Sequence, residues 1–367
     1  MKVCGLIAEF NPLHNGHIYL INEIKNKLNP DIIILLLTGN YSMRGDISPL
    51  NKFDKVDIAL DYVDLVIEFP IIYSLQNSNI FCDNAIKILN NLNINYLAFG
   101  SESNDINYLN DLLNVYNSKN YNDNVKDLLK LGYSYSKASI TSLGTNINSN
   151  DILNLFYLKS IKDNNFNIKL FPIKRIKNNY NDQFLNNSLI QSATILRNLN
   201  NISNYVPNKI NDYFNQYKFN TINNYYNLIQ YKSLLNNLDN IHLVKEGINN
   251  LIKKYINLDY NNFINKVVNK RYNKTYINRL LINILLDYQK DLYNNQDIKY
   301  LRLLGSNNKG LNYLNSIKKD FSIPFYTKIK DNLNAILDFE IKSNKIYNLN
   351  SFKKYNEFLF PIIKKNN

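Results

Sequence analysis

Two of the three histidines in this 367-residue chain, His14 and His17, stand three residues apart with Gly16 between them. Imidazoles placed this way can donate hydrogen bonds to the oxygens of an anion as negative charge builds on them, which is what a transfer at phosphorus requires. Gly16 has no Cβ and lets an anion come close to the main chain. Asn15-Gly16 also opens a stretch with helical periodicity, so free amides and the positive end of a helix dipole would face the same point. Two other readings of the turn stay open. The histidines could serve only to cap or hydrogen-bond a loop, or they could ligate a metal, although no third His, Cys or paired carboxylate is evident nearby.

A phosphate-binding turn needs a strand before it and a helix after it, and the flanking sequence offers both. Lys2 to Ala8 reads as a first strand, and Asn15 to Leu28, with Ile18, Ile21, Ile24 and Leu28 at near-helical spacing, as a helix ending before Asn29-Pro30. The continuous apolar run Asp31 to Thr38 predicts a strand covered on both faces. Leu65 to Glu68 and Tyr96 to Gly100 repeat the theme, and Asn167 to Pro172 is a last strand before Lys174-Arg175. Helical patterns at 51–61, 79–91 and 152–163 lie among them. This alternation predicts an α/β fold, a Rossmann-like parallel sheet whose ligand sits beyond the carboxyl ends of the strands. After about residue 200 the strand signals fade and Leu and Ile recur at helical spacing. The expected division is a nucleotide-binding domain, 1–200, followed by a mainly α-helical, basic domain, 201–367, with the boundary between 195 and 210; no internal repeat is evident.

Composition bounds the function classes. A hydrophobic share of 45% and a charged share of 20% are ordinary for a globular protein. No window approaches a membrane span and the first strand is too short for a secretory segment, so the expectation is a soluble, cytoplasmic protein with no membrane association. Cys4 and Cys82 fall in different elements without metal-ligand spacing, which argues against a disulfide framework or structural zinc. The formal charge of +13 points to an anionic partner, because clustered Lys and Arg release counterions condensed on phosphates. The Lys, Asn, Ile and Tyr bias also fits drift in an AT-rich genome, so charge is supporting rather than deciding.

The HxGH turn after a first parallel strand resembles the signature of the nucleotidyltransferase superfamily, and within it the chain is most similar to the tRNA(Met) cytidine acetate ligases. An ordered set of segments carries the resemblance: Ala8 to His17, Gly39-Asn40-Tyr41-Ser42-Met43-Arg44-Gly45-Asp46, Phe69-Pro70, Phe99-Gly100-Ser101-Glu102, Asn150-Asp151-Ile152-Leu153, Ile173-Lys174-Arg175, Ser192 to Arg197, Lys270-Arg271-Tyr272 and Arg302-Leu303-Leu304-Gly305. The resemblance implies a ligase that converts ATP and acetate to acetyl-adenylate and passes the acetyl group to the wobble cytidine of elongator tRNA(Met). Acetate, with a pKa of about 4, is ionised at neutral pH and needs no general base to attack phosphorus. The implied catalytic pair is His14 and His17. The implied ATP contacts are Ile7, Ala8, Glu9, Phe10, Asn11, Pro12, Leu13, His14, Asn15, Gly16, His17, Ile18, Tyr19 and Leu20, then Gly100, Asn150 and Arg175. The expected cofactor is ATP with Mg2+, no tightly bound metal, and no obligate protein partner. Where the family has Pro-Asn-Asn before Ile-Leu and Gly after, this chain has Ser149-Asn150-Asp151 and Asn154, so either Asn150 or Asp151 occupies the family position.

Ser192, Thr194 and Arg197 resemble the element that closes over triphosphates in the superfamily, and equally fit a capping Ser before an ordinary helix. Arg44 and Asp46 would line the substrate side, or be a solvated loop pair. Lys266, Lys270, Arg271, Lys274 and Arg279, interleaved with Tyr272 and Tyr276 and preceded by Lys253-Lys254-Tyr255, suit a folded RNA, whose phosphates need charge and whose unstacked bases need planar partners. Of these, Lys270, Arg271, Lys274 and Arg279 are the expected tRNA contacts, and Arg302, Lys309, Lys318 and Lys319 extend the pattern. A solvated lysine-rich helix face is the competing reading. Two other functions share the same motifs: a small-molecule adenylyltransferase making a dinucleotide cofactor, and a noncatalytic RNA-binding protein on a nucleotidyltransferase shell. No base for the acetyl-transfer step is visible in the sequence.

Overall fold

The computed structural model describes residues 1–144, 147–176, 189–245, 247–293 and 297–365. Five parallel strands, β1 (Val3–Ala8), β2 (Ile32–Thr38), β3 (Leu65–Phe69), β4 (Tyr96–Ser101) and β5 (Lys169–Lys174), form the expected α/β sheet. Their spatial order is β5-β4-β1-β2-β3. The chain leaves β1 in one direction, builds β2 and β3, and then returns to place β4 on the other side of β1. That reversal opens a crevice at the carboxyl ends of β1 and β4, which is where the HxGH turn falls. β5 begins two residues later than expected, at Lys169 opposite Tyr96, and tolerates Pro172 because it is the edge strand.

Alternation along the strands divides the core between the two faces. Ile32, Ile34 and Leu36 pack on one side with Phe81, Ile86 and Leu155, while Ile33, Leu35 and Leu37 pack on the other with Ile21, Ile24 and Val56. Every residue of β2 is buried, which accounts for its uninterrupted apolar run. Helix α1 (Asn15–Lys27) and helix α2 (Lys52–Ala59) cover the second face. Among the described residues no helix is long and apolar enough to cross a membrane.

Between Asn208 and Leu286 the expected helices are present, including Tyr226–Leu235, Tyr260–Val267 and Lys274–Leu286. Beyond residue 300 the structure departs from the sequence reading. β6 (Leu301–Asn307) joins the sheet antiparallel to β3, and β7 (Phe325–Tyr326) and β8 (Ile362–Lys364) pair with β6. Arg302, expected among the surface cations, is buried in that strand. Its guanidinium pairs with Glu68 of β3 at 3.2 Å and with Glu357, while Lys52 of α2 pairs with Glu68 and Glu357 at 2.5 Å each. Partners inside the core explain why this arginine does not face solvent.

Glu340, on the helix Ala335–Asn350, completes the cluster 3.6 Å from Lys52 and accepts the Ile71 amide at 2.7 Å. Burial, reinforced by the neighbouring Glu68 charge, pushes its pKa up to about 7. Two buried cations thus face three carboxyl groups, and burial with the Glu68 charge favours the protonated form of the third. In the unfolded chain Glu340 releases that proton near the ordinary glutamate value, so between there and pH 7 the folded state binds more protons. The stability Glu340 contributes is therefore complete at low pH and lost as pH rises through 7, by on the order of 3 kcal/mol. Glu340→Gln should flatten this part of the stability-against-pH curve, measured by denaturant unfolding between pH 5 and 8; an unaltered slope would locate the proton elsewhere.

Candidate active site

The HxGH turn is built by its own histidines. His14 is the N-cap of α1, and its Nδ1 accepts the Gly16 amide at 3.0 Å, while the His17 Nδ1 accepts the His14 amide at 3.3 Å. The capping alternative is thus part of the structure, and it has a chemical consequence. With each Nδ1 engaged as an acceptor, the proton of each neutral ring resides on Nε2, leaving one N–H donor per ring. The rings lie 3.9 Å apart, and burial holds both neutral, pushing His14 down to about 3 and His17 in the same direction. Nearby Arg175 adds to the depression of both, and His14 also lowers His17. A Cβ on Gly16 would meet the His14 Cε1 at 2.9 Å, so the glycine here makes room for the imidazole itself.

Around this turn the structure forms a cleft lined by Ile7, Ala8, Glu9, Phe10, Asn11, His14, His17 and Leu20 from the first strand-turn-helix unit. Arg44 and Asp46 line it from the loop after β2, Gly100 from β4, Asn150 and Asn154 from the helix Ser149–Asp163, and Arg175 from just past β5. Ser192, Thr194 and Arg197 close another side. Three arginines and a helix N-terminus facing one crevice favour a polyanion. Arg197 donates to the Asn11 carbonyl at 2.8 Å and lies 3.4 Å from Asp46, which ties the closing segment to the HxGH turn. Ser192 caps its short helix by accepting the Ile195 amide and also lines the cleft, so both of its readings hold.

The model of the HIGH Nucleotidyl Transferase family matches residues 1–358. The tRNA(Met) cytidine acetate ligase of Staphylococcus haemolyticus is 34% identical, with 99% of each chain covered, and that of Clostridium novyi is 34% identical over 95% of each. The apo crystal structure of Thermotoga maritima TmcAL matches all of both chains with a TM-score of 0.90 at 26% identity, and its complex with alpha-thio ATP matches with 0.87 at 25%. The chain belongs to the tRNA(Met) cytidine acetate ligase family. It is therefore an enzyme of the ligase class on a HIGH nucleotidyltransferase fold.

For this ligase-family chain the geometry separates residues that sequence spacing left together. Asn150 lines the cleft and donates to Glu102, whereas Asp151 is buried, accepting the Ser101 hydroxyl at 2.6 Å and the Ser103 amide at 3.0 Å. Gly16 and Tyr19 border the adjoining part of the cleft beside Arg175. Pro12 and Leu13 are buried beneath the turn, and Ile18 packs on the core. Asn15 points away, donating to the Leu189 and Asn204 carbonyls. Gly100 provides room for Arg175, whose Cγ would lie 3.2 Å from an added Cβ. Sequence reading missed Lys55, whose buried ammonium donates to the Glu9, Thr38 and Gly39 carbonyls at 2.6–2.9 Å and so gathers the ends of β1 and β2. The signal was available: Lys52 and Lys55 sit on the apolar side of α2 with Val56 and Ala59.

The expected RNA contacts also divide. Lys266, Lys270, Arg271 and Lys274 are exposed. The Lys270 ammonium lies 3.8 Å from the Tyr133 ring centre, Arg271 stands over Tyr272, and Tyr272 stacks on Tyr276. Arg279 is not a surface cation with them. It turns inward to donate to the Met43 carbonyl at 3.2 Å, and burial lowers its pKa to about 10.

Because Gly16 holds the place of the His14 ring, Gly16→Ala should displace the imidazole while leaving the helix itself intact or slightly favoured. Turnover of ATP is expected to fall by about 10- to 100-fold with little change in melting temperature, since small misplacements of a reacting group carry costs of that size. Parallel activity and thermal-unfolding measurements would expose an error if both remained at wild-type values.

Proposed function

We propose that this protein uses ATP to activate acetate as acetyl-adenylate and transfers the acetyl group to the wobble cytidine of elongator tRNA(Met), forming N4-acetylcytidine. The observation that carries the chemistry is the pair of neutral histidines at the N-terminus of α1, each with a single Nε2–H, at the mouth of a cleft lined by Arg44, Arg175 and Arg197. The names of the relatives supply acetate and tRNA(Met).

In the first step the acetate carboxylate attacks the α-phosphorus, a new O–P bond forms and the bond to pyrophosphate breaks. Neutral imidazoles donate hydrogen bonds without repelling the arginines beside them, and they strengthen as charge builds on the oxygens. The arginines neutralise the leaving pyrophosphate. Mg2+ enters as the triphosphate's counter-ion, as part of the substrate; among the described residues no three His, Cys, Asp or Glu side chains gather to hold a resident ion. We assign the nucleotide chemistry to residues 1–200 and RNA recognition to 201–367, in particular to Lys270, Arg271 and Lys274. With ATP and tRNA as the proposed substrates, we assign the reaction to the cytoplasm.

Purified protein incubated with ATP, acetate and tRNA(Met) should release pyrophosphate in an acetate-dependent way and yield acetylated cytidine. Pyrophosphate release that follows a mononucleotide cofactor precursor would favour a dinucleotide-forming enzyme, and RNA binding with no turnover would favour a noncatalytic protein. His17→Ala is expected to abolish adenylate formation and leave tRNA affinity within about twofold, because phosphate contacts elsewhere carry the binding. Joint loss of both would show that His17 has a different role.

A further inference from the structure

Forming an amide on the cytosine amine releases a proton, and nothing assigned above takes it. We infer that Glu9 is the proton acceptor of the acetyl-transfer step, an inference that rests on the function proposed above. Glu9 follows β1 directly and lines the cleft with His14, His17 and Asn150. One carboxylate oxygen accepts the Met43 amide at 2.6 Å, which fixes the direction of the side chain. The second has no hydrogen-bond donor among the described residues and is left to the cleft.

The other carboxylates nearby are held or lie off the cleft. Asp46 lies 3.4 Å from Arg197 and Asp151 is held by Ser101 and Ser103. Glu102 also has one oxygen without a partner, but it is not among the residues lining the cleft, and its other oxygen accepts from Asn150 and lies 3.8 Å from Arg175. Glu9 has no cation within ion-pair distance among the described residues; Lys55 reaches its main-chain carbonyl instead. Burial raises the Glu9 pKa and Asp46 adds to the rise, opposed by the Met43 amide and by the Arg44 and Lys55 charges; the Tyr157 hydroxyl faces it from the helix Ser149–Asp163. A carboxylate made more basic by its surroundings is better matched to proton transfer near neutral pH.

The contacts of Met43 also place Glu9 toward the RNA side. The Met43 amide donates to Glu9 while the Met43 carbonyl accepts from Arg279, on the helix Lys274–Leu286 that follows Lys270 and Arg271. Two residues on, Gly45 has φ +78° and lies so close to that helix that a Cβ would come within 2.3 Å of the Arg279 amide nitrogen. The loop holding Glu9 is thus braced against the helix next to the exposed basic residues.

In the step itself, N4 of the cytosine attacks the acetyl carbon and an N–C bond forms. The bond between that carbon and the adenylate oxygen breaks, AMP leaves with the electron pair, and the N4 proton passes to the Glu9 carboxylate, which later releases it to water. Adenylation requires no such acceptor, so the two half-reactions should respond differently to its removal.

Glu9→Gln retains an oxygen for the Met43 amide. Adenylate formation and acetyl transfer to tRNA(Met), each followed in single turnovers, give a ratio of rates that reads the role. That ratio is expected to fall by about 100-fold or more, with loss of the rise in transfer rate with pH that a carboxylate acceptor predicts for the wild type. Glu9→Asp, which keeps a carboxylate, should restore part of the rate and of the pH dependence, and it serves as the test if the glutamine variant unfolds. A ratio within about threefold of wild type would overturn the assignment, as would equal loss of both steps, which would make Glu9 part of the ATP site. Failure of the wild-type protein to form acetyl-adenylate would instead defeat the proposed function itself.

Discussion

Two hydrogen bonds at the start of α1 govern the shape of the cleft and the chemistry proposed for it. The Gly16 amide to His14 and the His14 amide to His17 end the first strand's turn and begin the helix, satisfying donors that every helix N-terminus leaves over. Because both are accepted on Nδ1, they also decide the tautomer, so the structural role of the histidines sets up the donor role proposed for them. Capping and catalysis are often weighed as alternatives for a residue near a helix start. Here the cap is what aims the donor.

The sheet that presents this turn is completed from the far end of the chain. Arg302, Glu68, Lys52 and Glu357 bring β6, β3, α2 and the C-terminal segment to one buried point. Such a cluster adds little net stability, because removing the charges from water offsets most of their attraction, yet deleting one partner typically costs about 3–5 kcal/mol. Its effect is on geometry: β6 has one position beside β3 in which Arg302 reaches both carboxylates. α2, anchored by Lys52, then holds Lys55 against the carbonyls that end β1 and β2, directly below the cleft.

Between the cleft and the exposed basic residues runs the loop of Met43 to Asp46. It touches Glu9 through the Met43 amide, Arg197 through Asp46, and the helix Lys274–Leu286 through Gly45 and the Met43 carbonyl. In the proposed reaction, where an acyl-adenylate meets a large RNA, this loop would serve as a shared wall, since the acceptor must arrive without admitting water to the intermediate.

By itself the sequence determined the parallel sheet, the position of the HxGH turn and the exposed cations around Lys270. These are properties of short windows: strand-length apolar runs, helical spacing, and residue types packed into one turn. The antiparallel β6 escaped because Arg302 interrupts its apolar run, and only the two glutamates far away in the chain make that arginine a core residue. Arg279 looked like its neighbours Lys270 and Lys274 for the same reason, since nothing local tells which cation has a carbonyl waiting on another element. The tertiary structure alone decided that Asn150 rather than Asp151 faces the cleft, that Gly16 and Gly100 make room for His14 and Arg175, and that one Glu9 carboxylate oxygen has no donor among the described residues. Burial, pairing and protonation state depend on contacts between distant segments, and those contacts have no period to be read along the chain.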